Sequence, residues 1–271
     1  MKINMILKFK PDKHQYVSDD GTRWTSVTTI ISAYKEPFDS QSIAEKSSKN
    51  KKSKWYGIDP KEIQAIWKAE ADRSTTLGTY YHNQRERDLL CYNTLTKYGC
   101  ELPIIPSLED SEGCKIAPEQ KLTDGIYPEH FVYLASAGWC GQADLIEVVN
   151  GVVNVSDFKT SKKIDRESYK NWEGISKKML SPLQHLDDCS FNHYALQLSI
   201  YMYMILRHNP NLKPGKLLIH HVKFEEAEEK DKYGFPIILL NNGEPIVKEI
   251  EYIELPYLKQ EVQTLLKQKI W

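Results

Sequence analysis

The sequence predicts an α/β fold, and three observations carry that prediction. An Asn150-Gly151 step joins two runs rich in β-branched residues, 141–149 and 152–159; Asn-Gly between such runs favours a tight hairpin, because both central residues must adopt positive φ. Residues 60–90 and 190–207 read instead as helices, the second apolar nearly all round and therefore buried. A chain of 271 residues with 41% hydrophobic content can bury the core of one large α/β domain or two small ones.

Each element has its own local signal. Asp19-Asp20-Gly21 is a turn between Gln15-Tyr16-Val17 and Arg23-Trp24, so a small hairpin is expected there. Ser26 caps a short helix that Pro37 stops, and a polar, lysine-rich helix is expected to follow to about residue 54. Asp59-Pro60 opens a helical region through Leu90, since proline at the first helical position gives up only an amide that would lack a partner anyway. A break near Ser74-Thr75-Thr76 is expected to divide that region in two. Within a single domain spanning 1–271, residues 1–58 form an N-terminal helical and hairpin extension, and 92–127, rich in proline, glycine and acids, an irregular insertion. Strands resume at His130–Leu134 and continue into the Asn150-Gly151 hairpin; Lys216–Val222 and Ile246–Ile253 supply two more, and residues 256–270 close with an amphipathic helix.

The hairpin yields a register. With a two-residue loop, Val149 faces Val152 and Asp144 faces Asp157. Directly opposed residues share a sheet face with Cβ atoms roughly 4.5–5.5 Å apart. Lys159, two residues beyond Asp157, emerges on that same face. The pairs Ile146/Val155 and Val148/Val153 make it the core side, while Glu147/Asn154, Leu145/Ser156 and Val149/Val152 form a mixed outer surface. Paired carboxylates on a buried face are costly unless a cation neutralises them or one stays protonated, so this is a place for a divalent metal and a water nucleophile.

Composition narrows the function classes. A formal net charge of -1 gives no global attraction to nucleic acid, so any such contact rests on local patches. One is Lys46, Lys49, Lys51, Lys52 and Lys54; another is Lys159, Lys162, Lys163 and Arg166, contiguous with the acids. Charge runs are commonly plain solvated surface. Five cysteines without CxxC spacing argue for free thiols in a reducing compartment. No targeting segment and no membrane-length apolar run is evident, and the expected location is the cytoplasm.

Further polar groups sit at helical spacing. His82 and Glu86 share one helix face, with Gly78 allowing close backbone approach. Gln197 and Tyr201 lie one turn apart in an otherwise apolar helix, where an amide must find partners. His220-His221 point to opposite strand faces and read as structural.

Together, Gly78-Thr79-x-x-His82-x-x-x-Glu86, Gly141-x-x-Asp144, Asp157-x-Lys159 and Gln197-x-x-x-Tyr201 resemble the PD-(D/E)XK nucleases. The order of the four elements is similar to the RecB-type branch, which includes phage exonucleases, CRISPR-associated exonucleases and the mitochondrial genome maintenance exonuclease. The likeness spans about residues 70–225, and Ser26–Ile30, Pro37-Phe38-Asp39 and Pro182-Leu183 look most like phage-encoded members. Ala143 stands where the signature's name implies proline, and the absence of cysteine after Cys189 argues against the iron–sulfur cluster of several relatives. No Gly-x-x-x-x-Gly-Lys-[Ser/Thr] loop is present, so no nucleotide cofactor is expected.

The resemblance implies a restriction-endonuclease-like core, a central mixed β-sheet flanked by helices. It implies that His82, Asp144 and Asp157, with the Phe158 carbonyl, hold one or two Mg²⁺ or Mn²⁺ ions, and that Lys159 orients the attacking water. Gln197 and Tyr201 would position Lys159 or the scissile phosphate, and Glu86 would add to the ligand shell. The implied activity is DNA exonucleolysis, favouring single strands or ends, with a phage recombination or replication protein as a further partner, in the bacterial host cytoplasm if phage-encoded. Thr79, Tyr81, Thr160, Lys162, Lys163 and Trp172 are candidate nucleic-acid contacts; Tyr81 and Trp172, with Tyr80 and Tyr169, could stack unpaired bases. A site-specific endonuclease would share the metal centre, and an inert nucleic-acid-binding or structural protein is the alternative of a different class.

Overall fold

A computed structural model describes residues 7–10, 15–170 and 173–268. Strands β1 (Leu7–Lys10), β2 (Gln15–Ser18) and β3 (Arg23–Ser26) lead into helices α1 (Val27–Ser32), α2 (Ser40–Lys49) and α3 (Pro60–Leu90). Strands β4 (Gly125–Leu134), β5 (Trp139–Val149) and β6 (Val152–Lys159) form an antiparallel meander. Helix α4 (Ser190–His208) then crosses to β7 (Lys213–Phe224), parallel to β6, and β8 (Val247–Leu255) and α5 (Lys259–Lys267) follow. The architecture is α/β, with a large mixed central sheet and, among the described residues, five helices. None of those helices is long and apolar enough to cross a membrane.

The Asn150-Gly151 turn forms with φ of 50° and 74°, as a type I′ turn requires. It sets the expected register, Val149↔Val152 through Leu145↔Ser156. Helix α4 packs on one face of the sheet, where Ile146, Val148, Val153 and Val155 meet Leu196, Ile200 and Met204 in the main core. The other face is not the mixed surface that the alternation suggested. Leu145, Val149 and Phe158 pack there with Tyr81 and Leu89 of α3, and Glu147 is buried with its charge paired to Lys97. The sheet is covered on both sides, so its strands are apolar on both sides.

Several boundaries differ from the sequence expectation for physical reasons. Helix α3 is unbroken from Pro60 to Leu90: no proline or glycine interrupts residues 74–76, and the Thr76 hydroxyl donates to the Asp72 carbonyl (2.9 Å) within the helix. The lysine-rich helix α2 stops at Lys49, and residues 50–58 turn, with Gly57 at φ 78°. The 92–127 segment is not irregular throughout. Thr94–Lys97 and Cys100–Pro103 form a hairpin, Lys115–Ile116 extends the sheet beside β1, and β4 begins at Gly125 rather than at His130.

One irregularity positions the site. β4 pairs along nearly all of β5, from Trp139 to Val148. On the opposite edge of β5, β6 covers Leu145–Val149 while β3 covers only Trp139 and Cys140. Among the described residues, no strand pairs with Gly141–Asp144 on that edge, so the sheet forks there.

Candidate active site

The fork explains how side chains from both faces of the sheet converge. The ladder ends one pair short of Asp144 and Asp157, and the Asp144 carboxylate takes the place of the next backbone acceptor: the Phe158 amide donates to its Oδ2 at 2.7 Å. Both acids are buried, at 7% and 1% exposure. Asp157 turns toward α4, where Gln197 donates from Nε2 to Oδ1 (3.1 Å) and Lys159 forms an ion pair with Oδ2. The Lys159 ammonium also lies 5.1 Å from the ring centroid of Tyr194. Tyr201 packs its ring on Gly141, where a Cβ would come within 2.6 Å of ring carbon Cε1, and its hydroxyl is 3.5 Å from Gln197 Nε2.

From the other face, His82 of α3 reaches the same fork. Its Nε2 lies 3.0 Å from the Phe158 carbonyl, which can only accept, so Nε2 carries the proton. Nδ1 is thereby left facing Asp144 Oδ2 (3.4 Å) and Glu129 Oε1 (3.5 Å). Phe158 is thus placed as the group that orients the imidazole, the usual arrangement behind a metal-binding histidine, rather than as a free carbonyl ligand.

Glu129 is a candidate ligand that the sequence reasoning missed. It sits between the pairs Pro128↔Leu145 and His130↔Ala143, across from Asp144, with a positive φ of 48°. Gln142 donates to its Oε2 (2.8 Å), while Oε1 is buried without a hydrogen-bond partner. His82, Glu129 and Asp144 each present one ligand atom, all within 4.8 Å of one another, and could hold a metal ion. The register that placed Asp157 would have found Glu129 as well, had it been carried through the tight turn at Gly138 between β4 and β5. Beside these ligands a cleft of about 380 Å³ opens, lined by His82, Asn83, Glu86, Lys115, Glu129 and Gln142.

Crowded charges shift one another. Burial first and the Asp157 carboxylate second push Asp144 well above the ordinary carboxylate range. Burial opposes a charge on His82, but the neighbouring Glu129 and Asp144 carboxylates outweigh it and raise the imidazole to about 9. Burial likewise opposes the Lys159 charge; Asp157 and then Asp144 outweigh it and hold the ammonium above the usual lysine value. Lys159 is therefore a fixed cation here, fit to donate hydrogen bonds and unfit to act as a base.

The remaining predicted residues divide. Glu86 lines the cleft, but its Oε1 is held by Lys115 (2.8 Å) and Ser107 (3.3 Å), outside the three-ligand set. Tyr81 offers no stacking surface: it is buried against Phe158 and Phe224, because its position on α3 faces the sheet. Thr160 packs on α3 beside Gly78, its hydroxyl 3.4 Å from the Ser74 carbonyl, and Thr79 is exposed one residue further on. Lys162 and Lys163 are exposed, the latter paired with Asp165 (2.7 Å). Trp172 lies outside the described residues. The buried His221 anchors the basic loop through Nε2 to the Ser161 carbonyl (2.6 Å), and His220 makes edge-on contacts with Phe158 and Tyr252, both in keeping with structural roles. No protein-family model, curated protein or solved structure matches the chain.

Proposed function

We propose that this chain is a metal-dependent deoxyribonuclease that hydrolyses phosphodiester bonds, acting from DNA ends. The observation that carries the reading is the meeting, at one fork in a buried sheet, of His82, Glu129 and Asp144 with the Asp157–Lys159–Gln197 cluster. We read α3, β4, β5, β6, α4 and β7 as the restriction-endonuclease-like core that the resemblance to PD-(D/E)XK nucleases implies.

The donor set fits Mg²⁺ or Mn²⁺: two carboxylates and an imidazole nitrogen, one carboxylate oxygen being buried with no other partner. His82, Glu129 and Asp144 would hold the ion. When bound, it supplies a water of lowered pKa and neutralises charge on the phosphoryl oxygens. The chain's own residues do the rest. The Lys159 ammonium, fixed by Asp157, donates to an oxygen of the attacking water or the phosphate. Gln197 holds the Asp157 carboxylate so that Lys159 keeps its direction, and Tyr201 with Gly141 fixes Gln197 in turn. Coverage by α3 and α4 keeps water off these groups, which strengthens each electrostatic contact.

The test is incubation of end-labelled single- and double-stranded DNA with Mg²⁺ or Mn²⁺, comparing wild type with Lys159→Ala. Mononucleotides released from one end, and lost in the variant, are the expected result. Internal fragments would redirect the reading to an endonuclease, and intact DNA under every condition would end it.

A further inference from the structure

The hydrolytic site leaves unused a second surface, at the other end of α3. Phe38, Trp55 and Trp67 form an aromatic cluster there, with ring centroids of Phe38 and Trp67 5.5 Å apart and those of Trp55 and Trp67 6.1 Å apart. The cluster is open rather than core: Phe38 is 68% exposed, and neighbouring Tyr56 is 52% exposed. Phe38 and Trp67, with Ser40, Lys61, Gln64 and Lys68, line a groove of about 500 Å³. An exposed phenylalanine and two half-buried tryptophans in ring contact, two of the three lining one groove, make a contiguous apolar patch of the kind that marks a binding surface.

The charge around the groove selects the partner. Between residues 46 and 61 the sequence holds six lysines against one acid, Asp59, in a chain whose net charge is -1. Asp59 is occupied as the cap of α3, its Oδ1 accepting from the Lys61 amide (2.8 Å). Among the described residues, Lys46, Lys49, Lys51, Lys52 and Lys61 form no ion pair, Lys54 lies over the Trp55 ring at 4.4 Å, and Lys68 in the groove lining pairs with Asp72 (3.0 Å). Free ammonium groups beside open aromatic faces suit a ligand with a regular line of negative charge and flat, unpaired rings. We infer that this lysine-flanked aromatic groove binds a single nucleic-acid strand, its bases stacking on Phe38 and Trp67 and its phosphates following the lysines. A duplex would keep its bases stacked internally and an acidic peptide would offer few rings, so neither uses both features.

The helix connects this groove to the fork. Trp67 and His82 are fifteen residues apart on α3, a rise of about 22 Å, and project within about 60° of each other around its axis. A strand held at the groove is therefore held on the side of α3 that carries the cleft. The inference itself does not depend on hydrolysis, and its assay excludes metal.

Binding of fluorescently labelled dT20 is measured by anisotropy in EDTA, with a 20-base-pair duplex and heparin as comparison probes. Wild type is expected to prefer dT20 over the duplex. Phe38→Ala, at a solvent-exposed position that leaves the fold intact, should weaken dT20 binding about tenfold. Lys51→Ala/Lys52→Ala should lower the slope of log affinity against log salt by about 1.4. Undiminished dT20 binding by Phe38→Ala, equal affinity for duplex, or heparin and dT20 binding that both ignore Phe38 would each overturn the inference. Loss of nuclease activity with retained dT20 binding would count against the proposed hydrolysis alone.

Discussion

Replacing Lys159 by methionine keeps most of the side-chain volume and removes the charge that faces Asp157. Asp157 is 1% exposed, and after the replacement Gln197 still serves Oδ1 while Oδ2 loses its cation. Breaking a buried ion pair from one side costs roughly 3–5 kcal/mol, and with 21% of the Lys159 side chain reaching solvent the lower end applies, about 3 kcal/mol. For a chain of this size that is a fall in Tm of about 6–10 °C. Asp157→Asn should cost less, about 1 kcal/mol, because Asp144, freed of the Asp157 charge that raises its pKa, ionises more readily and serves as the counter-ion for Lys159. In the double variant no charge is left without its partner, so it should be about 2 kcal/mol more stable than the sum of the single losses predicts. Urea unfolding of the four proteins in EDTA measures that coupling. Additivity within about 0.5 kcal/mol would refute the buried ion pair, and with it the reason for assigning Lys159 a fixed positive charge.

Three further outcomes are expected. Glu129→Gln should weaken Mn²⁺ binding, measured by calorimetry without DNA, by at least about tenfold, and by more than Asp157→Asn does; an unchanged affinity would remove Glu129 from the ligand set. Gly141→Ala should lose about 1–3 kcal/mol of stability in urea unfolding, because the new methyl would stand 2.6 Å from Tyr201 Cε1; wild-type stability would show that the ring can move away freely. Burial first, then Lys97 and Arg85, hold the His220 imidazole down at about 4. The unfolded chain therefore takes up this proton near pH 6.5 and the folded chain only near 4, so stability is lost as pH falls between those values, by about 2 kcal/mol for a partly covered ring. His220→Gln should flatten that acid limb in a Tm–pH series, and an unaltered limb would show that another group drives it.

What could be read from the sequence was what local chemistry dictates. Asn150-Gly151 determined a turn type, the turn determined a register, and the register brought Asp144 and Asp157 to the same end of one hairpin. Ser26 and Asp59 capped helices because their side chains satisfy amides that a helix leaves free. The losses came where tertiary packing decides. Leu145 and Val149 look like half of a solvated strand until α3 covers them, and Tyr81 looks like a stacking surface until the same packing turns it inward. Ser74-Thr75-Thr76 looks like a break because hydroxyls compete for backbone groups, but inside a helix Thr76 can bond back to Asp72 without ending it. Glu129, a strand residue at positive φ, follows neither alternation nor propensity, and only the β4–β5 register places it across from Asp144.

That backbone is itself informative. A non-glycine residue at φ 48° in the middle of a strand is held there against its own preference, at a cost of order 1 kcal/mol, when glycine or asparagine would relieve it. Neither replacement would keep a carboxylate facing Asp144. Three acids, Glu129, Asp144 and Asp157, thus share the fork with two cations, protonated His82 and Lys159, leaving a deficit of one positive charge. In the metal-free chain the raised pKa of Asp144 answers that deficit with a proton. A divalent ion that displaced the His82 proton would instead bring the five groups to neutrality. Strain at Glu129 and crowding at Asp144 are separate costs at one fork, and under the proposed reading a bound M²⁺ would offset both.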